Sequence, residues 1–459
     1  MDGRVALHAF TTLGWTDGPM GVWRNRNLVP DRQVPDLDWW IEFARTAERG
    51  CMDTVFFADA IGMAGFSDGD LDPEIRDGRT ILWDPSMFVS AMSRETDHIG
   101  FVFTSSILQD HPFTFARKMS TLDHITGGRI GWNIVTSYSP NAARNVGLAE
   151  LPSREERYRW ADEYVRVAYR LWEGSWDEDA LTVDRATGTY VDPAKVHLVN
   201  YAGQRYRVQG PHLTPPTPQR TPFLAQAGGS GPGQQFAATH AEVQFIVGDT
   251  DQVLSETVRK VRELAVRAGR RADDITFTLS SRFVVGSTTE EARRKADELD
   301  DAADPGDVID YMSTSMGIDF SGVSLDDRVP ELLTFGGNGG MSGVLDSLTE
   351  GFPAGYVPTL RDLVRNYRSR GRFVGTPEQI ADRVERLRDI GVTGLMVSMD
   401  IRPRSLTDFV DQVVPVLQRR GLSQREYASG TLRQRLMGYG DRLPDRHPAA
   451  AYRPSRVGR

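Results

Sequence analysis

Apolar positions along the chain follow two alternating patterns. Short unbroken runs recur at VALHAF (5–10), TVFFAD (54–59), IGFVFTSS (99–106), GRIGWNIVTS (128–137), FLAQA (223–227), VQFIVG (243–248), ITFTLSSRFVV (275–285) and GLMVSMD (394–400). Their length and β-branched content predict strands buried on both faces. Between them lie segments whose apolar residues repeat at helical spacing, such as 36–50, where Leu37, Trp40, Ile41, Ala44 and Ala47 share one face. Further helices are predicted over 85–96, opened by Pro85, and over about 113–126, 154–172, 232–240, 251–268, 376–390 and 406–421.

Eight strand–helix alternations predict an α/β fold, a (β/α)8 TIM barrel. A doubly wound open sheet is the competing architecture, but no G-x-G-x-x-G occurs to support a dinucleotide-binding unit. Two stretches break the alternation: 175–222, rich in Pro, Gly and Asp, and 304–373, the least regular part, with GGNGGMSG (336–343) and GFPAGYVP (351–358). Both read as insertions in one domain spanning 1–438. The Arg- and Pro-rich residues 439–459 read as a flexible tail.

The net charge of −9 is spread without a basic patch, which argues against nucleic acid as a partner. Cys51 is the single cysteine, so neither a disulfide nor a cysteine-ligated metal is available within the chain. The amino terminus lacks the basic and apolar regions of a signal peptide, and no run approaches membrane-spanning length. The expectation is a soluble cytoplasmic protein.

In a parallel barrel the site collects at the C-terminal ends of the strands. Those ends carry Asp59, Thr104 with Ser105 and Ser106, and Asn133 with Thr136 and Ser137. Each could simply cap the following helix; together they describe a polar, nearly uncharged mouth. The eight histidines show neither H-x-H nor H-E-x-x-H spacing, and no G-x-S-x-G elbow occurs, so no metal and no nucleophile is signalled. A barrel with such a mouth borrows its chemistry from an organic cofactor. AQAGGSGPGQQFAATH (225–240) offers an anion-binding turn, with Gly228, Gly229 and Ser230 before a helix, although an ordinary glycine-rich turn reads the same way.

TLDHITGGRIGWNIVTS (121–137), NAARNVG (141–147) and RYRWADEY (157–164) resemble the flavin-dependent monooxygenases that include nitrilotriacetate monooxygenase component A and dibenzothiophene sulfone monooxygenase. RTAERGCMDTVFFAD (45–59), WDEDALTVDRATGTYVDPAKVH (176–197), QAGGSGPGQQFAATHAE (226–242), VGTPEQIAD (374–382) and the 408–436 region extend the resemblance over most of the chain. It implies a bacterial-luciferase-like barrel that receives reduced FMN (FMNH2) from a separate NAD(P)H-dependent flavin reductase. A flavin peroxide formed with O2 would then oxygenate a small organic substrate. It further implies that Asp59, Thr104, Tyr158 and Ser230 contact FMN, with Tyr158 and Ser230 at the phosphate, beside the Gly229 turn, and Thr104 and Asn133 as the catalytic pair near the ring. Relatives commonly carry a histidine four residues before the tyrosine; here Arg154 stands there and could pair the phosphate instead.

Phe10, Trp15 and Phe56, with the loop 11–25 and the 304–373 insertion, are the expected substrate wall, which favours an aromatic, organosulfur or halogenated compound. An aminopolycarboxylate is the alternative substrate class. A deazaflavin-dependent oxidoreductase on the same barrel and a non-catalytic flavin-binding protein are the rival functions. A homodimer or homotetramer is expected, with helices in 85–126 as one possible interface.

Overall fold

The computed structural model describes residues 3–454 apart from 15–22, 24, 26–35, 64–70, 77, 79–81, 249, 303, 317–319, 321, 329–351, 353–355 and 370. Trp15 and the 336–343 turn lie outside the described residues.

Eight strands close into a parallel barrel. In chain order they are β1 (Ala6–Thr12), β2 (Thr54–Ala58), β3 (Gly100–Ser106), β4 (Ile130–Val135), β5 (Phe223–Gln226), β6 (Val243–Ile246), β7 (Thr276–Val285) and β8 (Gly394–Ser398). Each pairs with the next, and β8 returns to β1 with Ala6 opposite Gly394. The helices covering it are α1 (Leu37–Arg49), α2 (Pro85–Arg94), α3 (Pro112–Thr126), α4 (Arg154–Gly174), α5 (Gly231–His240), α6 (Asp251–Arg267), α7 (Thr289–Ala302) and α8 (Pro377–Asp389).

Alternation along the strands separates two apolar layers. Leu7, Ala9, Val55, Phe57, Phe101, Phe103, Trp132 and Ile134 face the helices, whereas Ala6, Phe56, Val102, Phe223, Ala225, Val243 and Met396 fill the barrel. Side chains therefore occupy the barrel's interior, and the strand ends are what remains for a site.

The predicted strands and most helices stand where the sequence places them. The last predicted helix, 406–421, is instead an α-turn (Arg404–Asp408), a π-helical turn (Phe409–Val413) and a second α-segment (Val414–Arg419). Pro415 explains this break, because it has no N–H for a regular helical bond. The 304–373 insertion contains helices Pro305–Met316 and Leu360–Ser369 around a small apolar cluster of its own. A strand missed by the sequence reading, Arg372–Gly375, pairs with the upper half of β7. The 175–222 excursion folds into two antiparallel hairpins, Leu181–Asp184 with Thr189–Val191 and Tyr201–Ala202 with Arg207–Val208.

The expected flexible tail is corrected over 439–454. Leu443 and Ala449 are buried, and Arg446 and Arg453 pair with Asp274 and Glu173 of the barrel body. Just before it, Leu432 and Leu436 plug the barrel's N-terminal end. Gly100 makes room for the plug, since a Cβ there would fall 2.6 Å from Leu432 Cδ1. Arg433 forms a bidentate, fully buried ion pair with Glu242 at 2.6 and 2.9 Å. The arginines that suggested disorder from composition are anchors. No helix among the described residues is long and apolar enough to cross a membrane.

Candidate active site

A cavity of about 390 Å³ opens at the C-terminal ends of β2 to β5. Asp59, Thr104, Arg154, Tyr158 and Ser230 all line it, so residues far apart in sequence meet in one place. Asn133 stands directly behind the wall. Thr104 and Asn133 are register partners on β3 and β4, both almost fully buried, and Asn133 Nδ2 donates to Thr104 Oγ1 at 2.9 Å. That bond occupies the threonine oxygen as acceptor and leaves its O–H to donate into the cavity. The other amide atom, Asn133 Oδ1, is buried with no partner. A buried orphan acceptor is costly, and a ligand N–H would satisfy it.

Asp59 follows β2, and its carboxylate accepts the Ala60 N–H at 2.9 Å. Burial pushes its pKa up to about 7, with Asp84 adding to the rise and the Ala60 N–H and Lys118 opposing it. Near neutral pH it is poised between donor and acceptor.

At the other end, two helix N-termini converge. Ser153 caps α4, accepting from Glu156 N, and the first turn of α4 delivers Arg154, Arg157 and Tyr158 to the cavity. Ser230 caps α5, accepting from Gly233 N at 3.3 Å. Both dipoles favour an anion there. Arg154 has no ion-pair partner among the described residues and is exposed at the rim. A Cβ at Gly229 or Gly231 would meet nothing within 4 Å, so the turn faces open space that a ligand oxygen can approach. At Gly228, by contrast, a Cβ would collide with Tyr158 Oη at 2.3 Å.

Sequence reasoning missed the two glutamines that hold this turn. Gln226 Oε1 accepts from Gly228 N at 2.8 Å and its Nε2 donates to Tyr158 Oη at 3.2 Å, while Gln244 Nε2 donates to Gly228 O at 3.0 Å. The signal was available: a glutamine within each apolar run, FLAQA and VQFIVG, is a polar group buried with its strand that needs a partner. Burial raises the Tyr158 pKa, which keeps its phenol neutral and able to donate.

Phe10, Phe56, Asn133 and Gly229 are not themselves among the lining residues. Phe56 is 2% exposed and belongs to the barrel interior, where Phe10 stacks on it at 5.7 Å and Phe245 meets it edge-on at 4.7 Å. No cluster of His, Cys, Asp or Glu suited to a metal occurs among the described residues.

Residues 20–394 match the family model described as luciferase-like monooxygenase. The chain is 37% identical to the dimethyl-sulfide monooxygenase of Hyphomicrobium sulfonivorans, over all of this chain and 96% of that one. It is 33% identical to the dibenzothiophene-sulfone monooxygenase of Rhodococcus erythropolis, covering 96% of this chain and 97% of that one. A riboflavin lyase, RcaE, solved with modified FMN and riboflavin, superposes with a TM-score of 0.85 at 33% identity, over 98% and 100% of the two chains. The protein belongs to the luciferase-like monooxygenase family and is an oxidoreductase on a closed eight-stranded barrel.

Proposed function

We propose that this chain is the oxygenating component of a two-component system. It takes reduced FMN from a separate NAD(P)H-dependent flavin reductase and transfers one atom of O2 to a small organic substrate. The observation that carries this reading is one cavity that joins two helix N-termini and an exposed arginine to a buried threonine–asparagine pair. One end suits a phosphate; the other suits a neutral heterocycle with hydrogen-bonding edges.

FMN fits the residues present. Arg154, Tyr158, Gly229 and Ser230 would hold its phosphate by charge, hydroxyl and open backbone. Thr104 and Asn133 would offer a donor and an orphan acceptor to the ring, and Asp59 a carboxyl able to give or take a proton at Oδ2. When bound in reduced form, the flavin supplies the electrons that activate O2. The protein orients it, keeps charge away from its reactive face and limits water; no protein nucleophile is required.

The substrate is assigned to the apolar and organosulfur class. Phe10, half-buried near the end of β1 and stacked on Phe56, supplies an aromatic surface in the barrel interior, and two relatives carry organosulfur names. The test is an anaerobic fluorescence titration with oxidised and reduced FMN, followed by oxygen uptake with dialkyl sulfides and aryl sulfones. Binding of reduced FMN at least tenfold tighter than oxidised FMN, with substrate-stimulated product formation, is expected. Equal affinity for both forms and no product would overturn the assignment.

A further inference from the structure

Ser137, just beyond β4, has φ of +59°, a left-handed conformation that a Cβ disfavours. Such residues persist where their surroundings over-determine them, characteristically at ligand sites. Two contacts do so here. Arg157 Nη1 donates to Ser137 O, and the Ser137 hydroxyl pairs with that of Ser106 at 2.8 Å. The remaining bonds of Arg157 go to Pro152 O at 3.1 Å and Thr136 Oγ1 at 3.4 Å. Every partner is a neutral oxygen; among the described residues no carboxylate pairs with this buried guanidinium.

The kink has a consequence for the wall. Two residues later, Ser139 caps the helix Pro140–Asn145 by accepting from Asn141 N and Ala142 N. The chain must therefore turn off the strand between Thr136 and Ser139, and all four residues of that turn line the cavity. Arg157 is one turn of α4 ahead of Arg154 and next to Tyr158, so the same helix that presents the anion-binding groups also clamps the strand end.

We propose that Arg157 is a positioning residue: by holding the Ser137 carbonyl it enforces the left-handed turn that shapes the β4 wall of the flavin cavity. The proposal rests on the flavin reading. Its signature is a specific coupling. Glycine adopts positive φ without penalty, so a chain with glycine at 137 no longer needs the clamp.

Reduced-FMN affinity is to be measured anaerobically for wild type, Arg157→Gln, Arg157→Lys, Ser137→Gly and the double variant Arg157→Gln with Ser137→Gly, with circular dichroism to verify folding. Arg157→Gln is expected to weaken binding about tenfold alone but less than twofold when added to Ser137→Gly, and Arg157→Lys to fall between. An equal loss in both backgrounds would show that Arg157 acts through its charge and overturn the proposal, as would no loss in the wild-type background. Melting temperatures of the flavin-free variants must show the same coupling. A wild type that ignores reduced FMN would sink the flavin reading, while the melting series still decides the role of Arg157.

Discussion

Asp59→Asn isolates the energetic cost of the cavity's carboxyl. A carboxyl that ordinarily titrates near 4 titrates here at about 7, because burial disfavours its charged form. The folded chain therefore binds this proton more tightly than the unfolded chain. Stability contributed by the protonated group is intact below about pH 4, falls as pH rises towards 7 and is constant above it. The full difference corresponds to a ceiling of about 4 kcal/mol at pH 8. Asp59 borders an open cavity, and solvent screening reduces this to about 2 kcal/mol. The neutral amide avoids the penalty at every pH. Urea unfolding of the flavin-free proteins is expected to show Asp59→Asn more stable than wild type by about 2 kcal/mol at pH 8, with less than half that gain at pH 4. A gain that does not change with pH, or a loss at pH 8, would refute the reasoning. If Asp59 serves the flavin as proposed, the same variant should also lose turnover.

Other outcomes follow from the contacts. Asn133→Ala removes one hydrogen bond but also one orphan acceptor, so its unfolding free energy should stay within about 1 kcal/mol of wild type, while reduced-FMN affinity falls by about tenfold; unchanged affinity would remove Asn133 from the site. Tyr158→Phe frees Gln226 and with it the Gly228 turn, and is expected to raise the Kd for FMN several-fold, more than for riboflavin; an equal effect on the two ligands would show that the turn does not serve the phosphate. Glu242→Gln leaves Arg433 charged and fully buried without its partner, and should cost about 3–5 kcal/mol in urea unfolding; a loss below 1 kcal/mol would show that this pair does not brace the barrel.

Strand and helix positions were legible because a barrel of this kind writes burial directly into the sequence: β2, β3, β5 and β8 are short apolar runs, and α1 shows one clean face. The strand Arg372–Gly375 escaped notice because only two of its four residues, Phe373 and Val374, are apolar, and it exists by pairing with an overlong β7 rather than by burying a face of its own. The tail over 439–454 was misread for a related reason. Arg446 and Arg453 are held by Asp274 and Glu173, carboxylates far away in sequence, and composition cannot express partners at that distance. In the site, Ser230 and Gly228 were readable from local helix-start chemistry. The roles of Gln226, Gln244 and Arg157 are harder to read, because each depends on a tertiary hydrogen bond, to Tyr158 Oη, Gly228 O and Ser137 O respectively.

The pairing of β1 with β8 imposes an order on biogenesis. A nascent chain presents Ala6–Thr12 with one edge unpaired until Gly394–Ser398 has been translated, and only later still do Leu432 and Leu436 arrive to close the barrel's N-terminal end. Non-local closure of this kind is slow, and an open apolar edge invites association with other chains. Yield in a heterologous host should therefore respond to chaperone supply and growth temperature more than to variation at the cavity, and stop codons before position 431 should give insoluble product.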